Sequence, residues 1–428
     1  MKRFLLLFML ILVYLPIKAQ TTILEIDLPW RISTVQWSAN RDYLAIDKVQ
    51  TADSESNDII VYDNRGQQTG AITINDTARR RMYWGPQDAY LMLSSTFDDV
   101  PTLILSAQAQ TILELQSPAI WHPSENWGLE GDNETPLTLW DIESGEVILS
   151  ATTTLIPAVF SPNGEYFLYQ PDESTIATMN VSTGETKLRS ILFTSQISSV
   201  VWHPDSTYVS IQSYDNQTTL WHIPTNNTVD IYNVTSTLIW HAESNHIAGA
   251  YDYTRLRLWD ATTGDIVQSW DDFTAPITIL DWEANWLQAI SLDRMLGLSE
   301  EFHVFNTSTG QEVLRLVPRD YFLHRSLDGS FFTLATLCQN TVQYDLTTGD
   351  VLRELAIPTE ACVYYISPTG LSVIFYRDQP TLMFLNEPEI TYDLPGAELQ
   401  NLWWHPDGDI VAYDDSENVL HIVQINRR

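Results

Sequence analysis

Cysteine is nearly missing: Cys338 and Cys362 are the only two in 428 residues. That scarcity excludes a disulfide-framework fold and a thiolate metal centre, because the latter needs more sulfur ligands or a histidine pair nearby. Basic residues are also few, 22 Lys and Arg against 55 Asp and Glu, for a formal net charge of -33. So acidic a surface repels nucleic-acid phosphates and anionic headgroups and favours solubility and cationic partners. Long apolar runs are lacking except at Phe4 to Leu15, so no transmembrane domain is expected further on. No His-Glu-x-x-His, glycine-rich phosphate loop, Gly-x-Ser-x-Gly elbow or EF-hand loop occurs, so no catalytic, metal or cofactor site is legible.

What is present begins with a leader. Lys2 and Arg3 precede the apolar run and Pro16-Ile17-Lys18-Ala19-Gln20 follows it, the three parts of a secretory signal. Cleavage after Ala19 is expected, giving a signal over 1–19 and a mature protein over 20–428. The alternative is retention as an uncleaved anchor, although the apolar run is shorter than the roughly 20 residues a spanning helix needs. The mature protein is expected to be secreted, periplasmic or at the cell surface. Loss of Lys2, Arg3 and Lys18 leaves 19 basic residues.

One phrase recurs along the whole chain: an apolar strand ending in an aromatic residue, a polar turn, then a second apolar strand. Val200-Val201-Trp202-His203-Pro204-Asp205 and Leu402-Trp403-Trp404-His405-Pro406-Asp407-Gly408 are examples. Pro with Asn-Gly or Asp-Gly supplies the backbone angles of a tight hairpin. Aligned on the aromatic position, the series is Trp37, Trp84, Trp121, Phe160, Trp202, Trp240, Trp282, Arg325, Ile366 and Trp404. The mean interval of about 41 residues is that of a four-stranded propeller blade. A second hairpin lies inside the intervals, as in Trp140-Asp141-Ile142-Glu143-Ser144-Gly145 and Trp259-Asp260-Ala261-Thr262-Thr263-Gly264. Each repeat therefore reads as strands a, b, c and d with no helix.

The Trp140-Asp141 and Trp259-Asp260 pairs, with Trp221-His222 and Tyr344-Asp345 as approximations, make the array resemble the divergent bacterial-type tryptophan-aspartate (WD) repeat β-propellers. The Gly-His dipeptide those repeats carry before strand a is missing throughout. The resemblance implies an all-β propeller of ten blades and a loop face that recognises partners. Ile23 to Leu28 fits a strand d and Val419 to Gln424 a strand c, so the N-terminal strand is expected to complete the last blade and close a single ring. Two smaller propellers are the alternative.

Four features invite a functional reading. Cys338 and Cys362 map to one end of neighbouring repeats, where they form a disulfide or remain two buried thiols. His122, His203, His241 and His405 all follow an anchor Trp, which makes them copies of a hairpin position. Asp98, Asp132, Asp172, Asp215, Asp252, Asp293, Asp378 and Asp415 fall at the b-to-c turn, where a carboxylate caps backbone amides. Arg79-Arg80-Arg81 stands just before strand a of the second repeat, and Arg31, Arg255, Arg319 and Arg377 map to loops on the same end. Arg79 and Arg81, with those four, are the candidate ligand-binding residues, because guanidinium groups clamp carboxylates and phosphates.

The expected function is a non-catalytic exported scaffold, a monomer without cofactor, that binds a protein, peptide or glycan through its loop face. A glycan-cleaving or quinone-dependent propeller enzyme and a structural component of envelope assembly are the alternatives. Fold alone does not choose among them.

Overall fold

Alternating apolar and β-branched residues, broken every few positions by Gly, Asn, Asp or Pro, make strands and tight turns throughout. The computed structural model describes residues 20–27, 31–48, 57–74, 80–95, 100–190, 193, 195–271, 273–291, 301–316, 321–325, 330–336, 341–355, 364–367, 372–376, 380–384, 391–396 and 398–425. For some strand residues, Arg325 among them, only the backbone is described. Forty strands pair there as ten antiparallel, four-stranded, blade-like sheets, and no helix occurs among the described residues. None of these residues therefore belongs to a helix long and apolar enough to cross a membrane.

The sheets follow chain order: sheet 1 over 32–74, sheet 2 over 80–115, sheet 3 over 119–150, sheet 4 over 159–190 and sheet 5 over 197–232. Sheets 6 to 9 span 239–270, 277–316, 321–355 and 364–393. Sheet 10 combines 399–425 with the N-terminal strand Gln20–Asp27. That first strand pairs with Val419–Ile425 in the expected sense, Ile26 opposite Leu420 and Leu24 opposite Ile422. Nine of the ten anchor positions are the last residue of a strand a, and Trp282 is the penultimate one.

Burial grades across each sheet. Strands b and c are covered on both faces, as in Tyr208–Ser213, where all six residues are buried. The outer strand d is largely exposed, as in Glu146–Ser150. The covering comes from neighbouring sheets. Leu44 and Ile46 of sheet 1 share an apolar cluster with Ile410, Leu420 and Ile422 of sheet 10, and Ala45 and Val61 share another with Leu91 and Leu105 of sheet 2.

Polar braces repeat with the same logic. Several anchor indoles reach back to the carbonyl that precedes the anchor of the previous sheet: Trp84 Nε1 donates to Gln36 O at 3.0 Å, Trp121 to Tyr83 O at 2.9 Å and Trp240 to Val201 O at 3.0 Å, whereas the Trp282 and Trp404 indoles make no such bond. Trp37 of sheet 1 does the same to Trp403 O of sheet 10 at 3.4 Å. The histidines behind the anchors reach forward. Nε2 of His122, His203 and His241 meets the carbonyls of Gly164, Ser244 and Ala284 in the next sheet's a-to-b turn, at 3.0, 3.1 and 2.8 Å. Gly164 has φ +74°, and a Cβ there would lie 2.3 Å from the His122 ring, so the contact requires glycine on two counts.

Candidate functional site

The b-to-c turns and d-to-a connections lie at the opposite end of the sheets from those braces. From this end, along strands a as far as the Trp84 and Trp121 anchors, a cavity of about 1280 Å³ extends across sheets 2 to 5. Alternation along Arg80–Trp84 sends Met82 into the core and leaves Arg81 and Tyr83 on the open side, both lining the cavity. Ile120 does the same from Ala119–Trp121. Tyr83, Ile120 and Leu155 are 42%, 38% and 50% exposed, so three large apolar groups face one opening.

The connection from sheet 3 to sheet 4 carries Leu155 and is fixed from below. Thr154 is buried; its amide donates to Asp132 O at 2.9 Å, and its hydroxyl accepts from the Gln170 amide at 3.0 Å and donates to Ile156 O at 2.6 Å. Leu155 N donates to Gln170 O at 2.8 Å. Leu155 is therefore held outward on a braced loop, and a ligand meets a largely preformed surface.

Among the described residues, Arg81 is the one basic residue lining the cavity, and it makes no ion pair there. The facing carboxylates are Asp132 and Glu173. Burial pushes Asp132 up, but the amides of Thr135 and Glu134, at 2.7 and 2.8 Å, outweigh it and hold the carboxyl below its ordinary value. Asp132 is thus a turn cap, as are Asp172, which accepts from Ser174 N at 2.9 Å, and Asp415, which accepts from Glu417 N and Val419 N at 3.0 Å each.

The other sequence candidates are dispersed. Arg31 is exposed directly before Ile32–Trp37 of sheet 1, and Arg255 opens Arg255–Asp260 of sheet 6 with its Nε 3.9 Å from Asp271. Neither reaches the cavity, which Arg81 alone of the described candidates lines. Arg79, Arg319, Arg377, Cys338 and Cys362 lie outside the described residues, as do Asp98, Asp293 and Asp378. The second repeat's strand begins at Arg80, not after Arg81, because Arg80 and Arg81 pair with Ser95 and Ser94 and lengthen the ladder.

Two further groupings have chemical interest. His405, Asp407 and Asp409 could gather round a cation, but the Arg41 guanidinium of sheet 1 already bridges both carboxylates, binding Asp409 at 2.8 Å. In sheet 7, Ser291 Oγ lies 3.1 Å from His303 Nε2, and His303 Nδ1 lies 2.6 Å from Glu312 Oε1. Ser291 and His303 are 1% and 0% exposed, so this hydroxyl, imidazole and carboxylate chain knits three strands together out of a substrate's reach.

No protein-family model matches the chain, and no curated protein matches it in sequence. Its fold has counterparts among solved structures. It is similar to a eukaryotic initiation factor, with TM-score 0.51 and 13% identity over 82% of this chain and 94% of that one. It is also similar to the dihydro-heme d1 dehydrogenase NirN in complex with DHE, at TM-score 0.46, 11% identity and 77% of each chain. BamB from Moraxella catarrhalis matches with TM-score 0.39 and 11% identity over 71% of this chain and 95% of that one. These are β-propeller proteins, and the first of them shows the propeller fold for this chain; identities so low define the fold alone.

Proposed function

We propose that the chain is an exported, non-catalytic β-propeller scaffold of WD type that holds an apolar segment of a protein partner in the cavity over sheets 2 to 5. In this reading the ten sheets form one ring. Its support is the contact between the first and last sheets: the shared cluster around Leu44 and Ile410, the Trp37 indole on Trp403 O, and Arg41 on Asp409. Export rests on the leader at 1–19.

The observation that carries the binding role is the exposure of Tyr83, Ile120 and Leu155 around one opening. Two of the three are aliphatic, which suits peptide side chains better than sugar hydroxyls. The volume of about 1280 Å³ exceeds the roughly 300–1,000 Å³ of ordinary small-molecule pockets, which suits an extended segment.

An array of nonamer peptides, probed with the mature protein and with an Ile120→Asp, Leu155→Asp double variant, tests the reading. Leucine- and phenylalanine-rich nonamers should be retained by the parent and bound at least tenfold more weakly by a variant of equal thermal stability. Equal retention by both proteins removes the cavity as the site.

A further inference from the structure

A second surface lies beside the cavity. Tyr214, Tyr232 and Tyr253 are 71%, 57% and 55% exposed, in or next to the b-to-c turns of sheets 5 and 6 and the connection between those sheets. Their backbones form a continuous hydrogen-bonded seam. Tyr214 N donates to Gln196 O at 3.0 Å and Val234 N to Asn216 O at 3.2 Å. Asp252 N donates to Asn233 O at 2.9 Å, and Tyr253 N to the Thr235 hydroxyl at 2.8 Å. The seam adjoins the cavity wall directly, because Ser195 and Gln196 belong to both.

The backbone here is in an uncommon conformation. Asn216, Asn233, Asp252 and Tyr253 have φ of +63°, +61°, +50° and +63°. Asn and Asp tolerate this region, but a tyrosine in it is disfavoured and persists only where the surroundings hold it. The Tyr253 ring is also 55% exposed, so it adds little to core packing and is open to a partner. Exposed Tyr set among Asn, Ser and Thr is also the composition of recognition loops, where rigid rings give contact area at low entropic cost.

The chemistry of the occupant follows from charge and from a precedent in the same sheet. Arg257 lies 5.4 Å from the Tyr251 ring centroid while pairing with Asp271 at 2.6 Å, so a guanidinium already sits between a tyrosine face and a carboxylate here. Tyr253 and the exposed Asp252 offer the same two elements outward, and Tyr214 adds a second ring beside them, next to Asp215, whose carboxylate accepts from the Ser213 hydroxyl. With a net charge of -33, long-range attraction also favours a cation. We propose that this rim is a docking surface for arginine side chains of a protein partner, distinct from the apolar cavity beside it.

Titration calorimetry with a capped hexa-arginine peptide at 150 mM salt tests this, with hexa-lysine and a neutral hexasaccharide as comparisons. The competing variant is Tyr214→Ser, Tyr253→Asn, which keeps the net charge and places at 253 a residue suited to its φ. Hexa-arginine should bind more tightly than hexa-lysine, because a planar guanidinium stacks on aromatic rings, and the variant should lose at least tenfold of that affinity. The Ile120→Asp, Leu155→Asp variant should keep it, so failure of the cavity and failure of the rim are told apart. Equal binding by parent and Tyr variant assigns the interaction to net charge and overturns the proposal. So does equal affinity for the two cationic peptides, or tyrosine-dependent binding of the hexasaccharide alone.

Discussion

At the end of the sheets where strands a and b turn into each other, polar side chains reach into the neighbouring sheet. His122, His203 and His241 hold carbonyls one sheet on, the Asp88 carboxylate accepts the amides of Ala39 and Asn40 one sheet back, and Arg41 holds Asp409 across the first and last sheets. At the other end, the turns use their carboxylates on their own amides and leave Leu155, Tyr214 and Tyr253 facing solvent. The difference separates two tasks that compete in a small domain. Bracing at one end permits the other to present apolar groups without collapse, the usual arrangement of recognition loops on a rigid scaffold.

The comparison is broken most severely at the strand that completes the last sheet. Removal of residues 20–27 strips Val419–Ile425 of its partner strand and exposes its backbone edge. The truncated protein is expected to lose most of its stability, on the order of 5 kcal/mol or more, against the 5–15 kcal/mol typical of a folded protein. Chemical denaturation followed by Trp fluorescence measures it. An unchanged midpoint rejects a structural role for the N-terminal strand.

A smaller effect is expected at a single brace. His122 accepts the amides of Ser124 and Glu125 at Nδ1, at 3.3 and 3.0 Å, and donates from Nε2 to Gly164 O. His122→Ala leaves the buried Gly164 carbonyl without its partner and frees the two turn amides, and should cost about 1–3 kcal/mol. The pH dependence has a definite sign. Burial lowers the His122 pKa below its ordinary value, so on acidification the unfolded chain takes up the proton first. The brace is fully present above the unfolded value of about 6.5 and weakens as pH falls through the native value. His405 is lowered too, first by burial and then by Arg41, and should add to the same slope. Thermal melts between pH 7.5 and 5 should fall less steeply for His122→Ala than for the parent; parallel slopes reject the assignment.

The sequence spelled out the repeats because one aromatic position and one turn recur at fixed spacing, and strands of period two follow from that. Its silence about the cavity has an equally physical cause. Tyr83, Ile120, Leu155 and Gln196 come from strands and connections of different repeats that share no common spacing, and their exposure depends on which neighbours fail to cover them. The turn-capping role of Asp132, Asp172 and Asp415 was readable because it is local. The histidines were readable as hairpin residues but not as braces. Their carbonyl partners lie 41 to 43 residues away, close to one full repeat, and that coincidence is the signal that identifies such contacts.

The smallest expected effect on stability, and the sharpest test of the difference between the ends, is at Arg81. Arg79 to Arg81 drew attention as a basic run in an acidic chain, and the fold brings Arg81 to the cavity wall while Arg80 is half-buried. A guanidinium exposed at the open end, with no ion pair among the described residues, contributes little to folding. Arg81→Ala should therefore shift stability by no more than about 0.5 kcal/mol. Its effect should appear in recognition instead. Apolar nonamers that end in a free carboxylate should bind the parent more tightly than their amidated forms at low salt, and Arg81→Ala should erase that preference while amidated peptides bind as before. Raising the salt should erase the same preference in the parent, because an exposed pair is screened within about 10 Å at 0.1 M ionic strength. A drop in stability of more than about 1 kcal/mol on the same substitution would place Arg81 among the braces and take it out of the recognition surface.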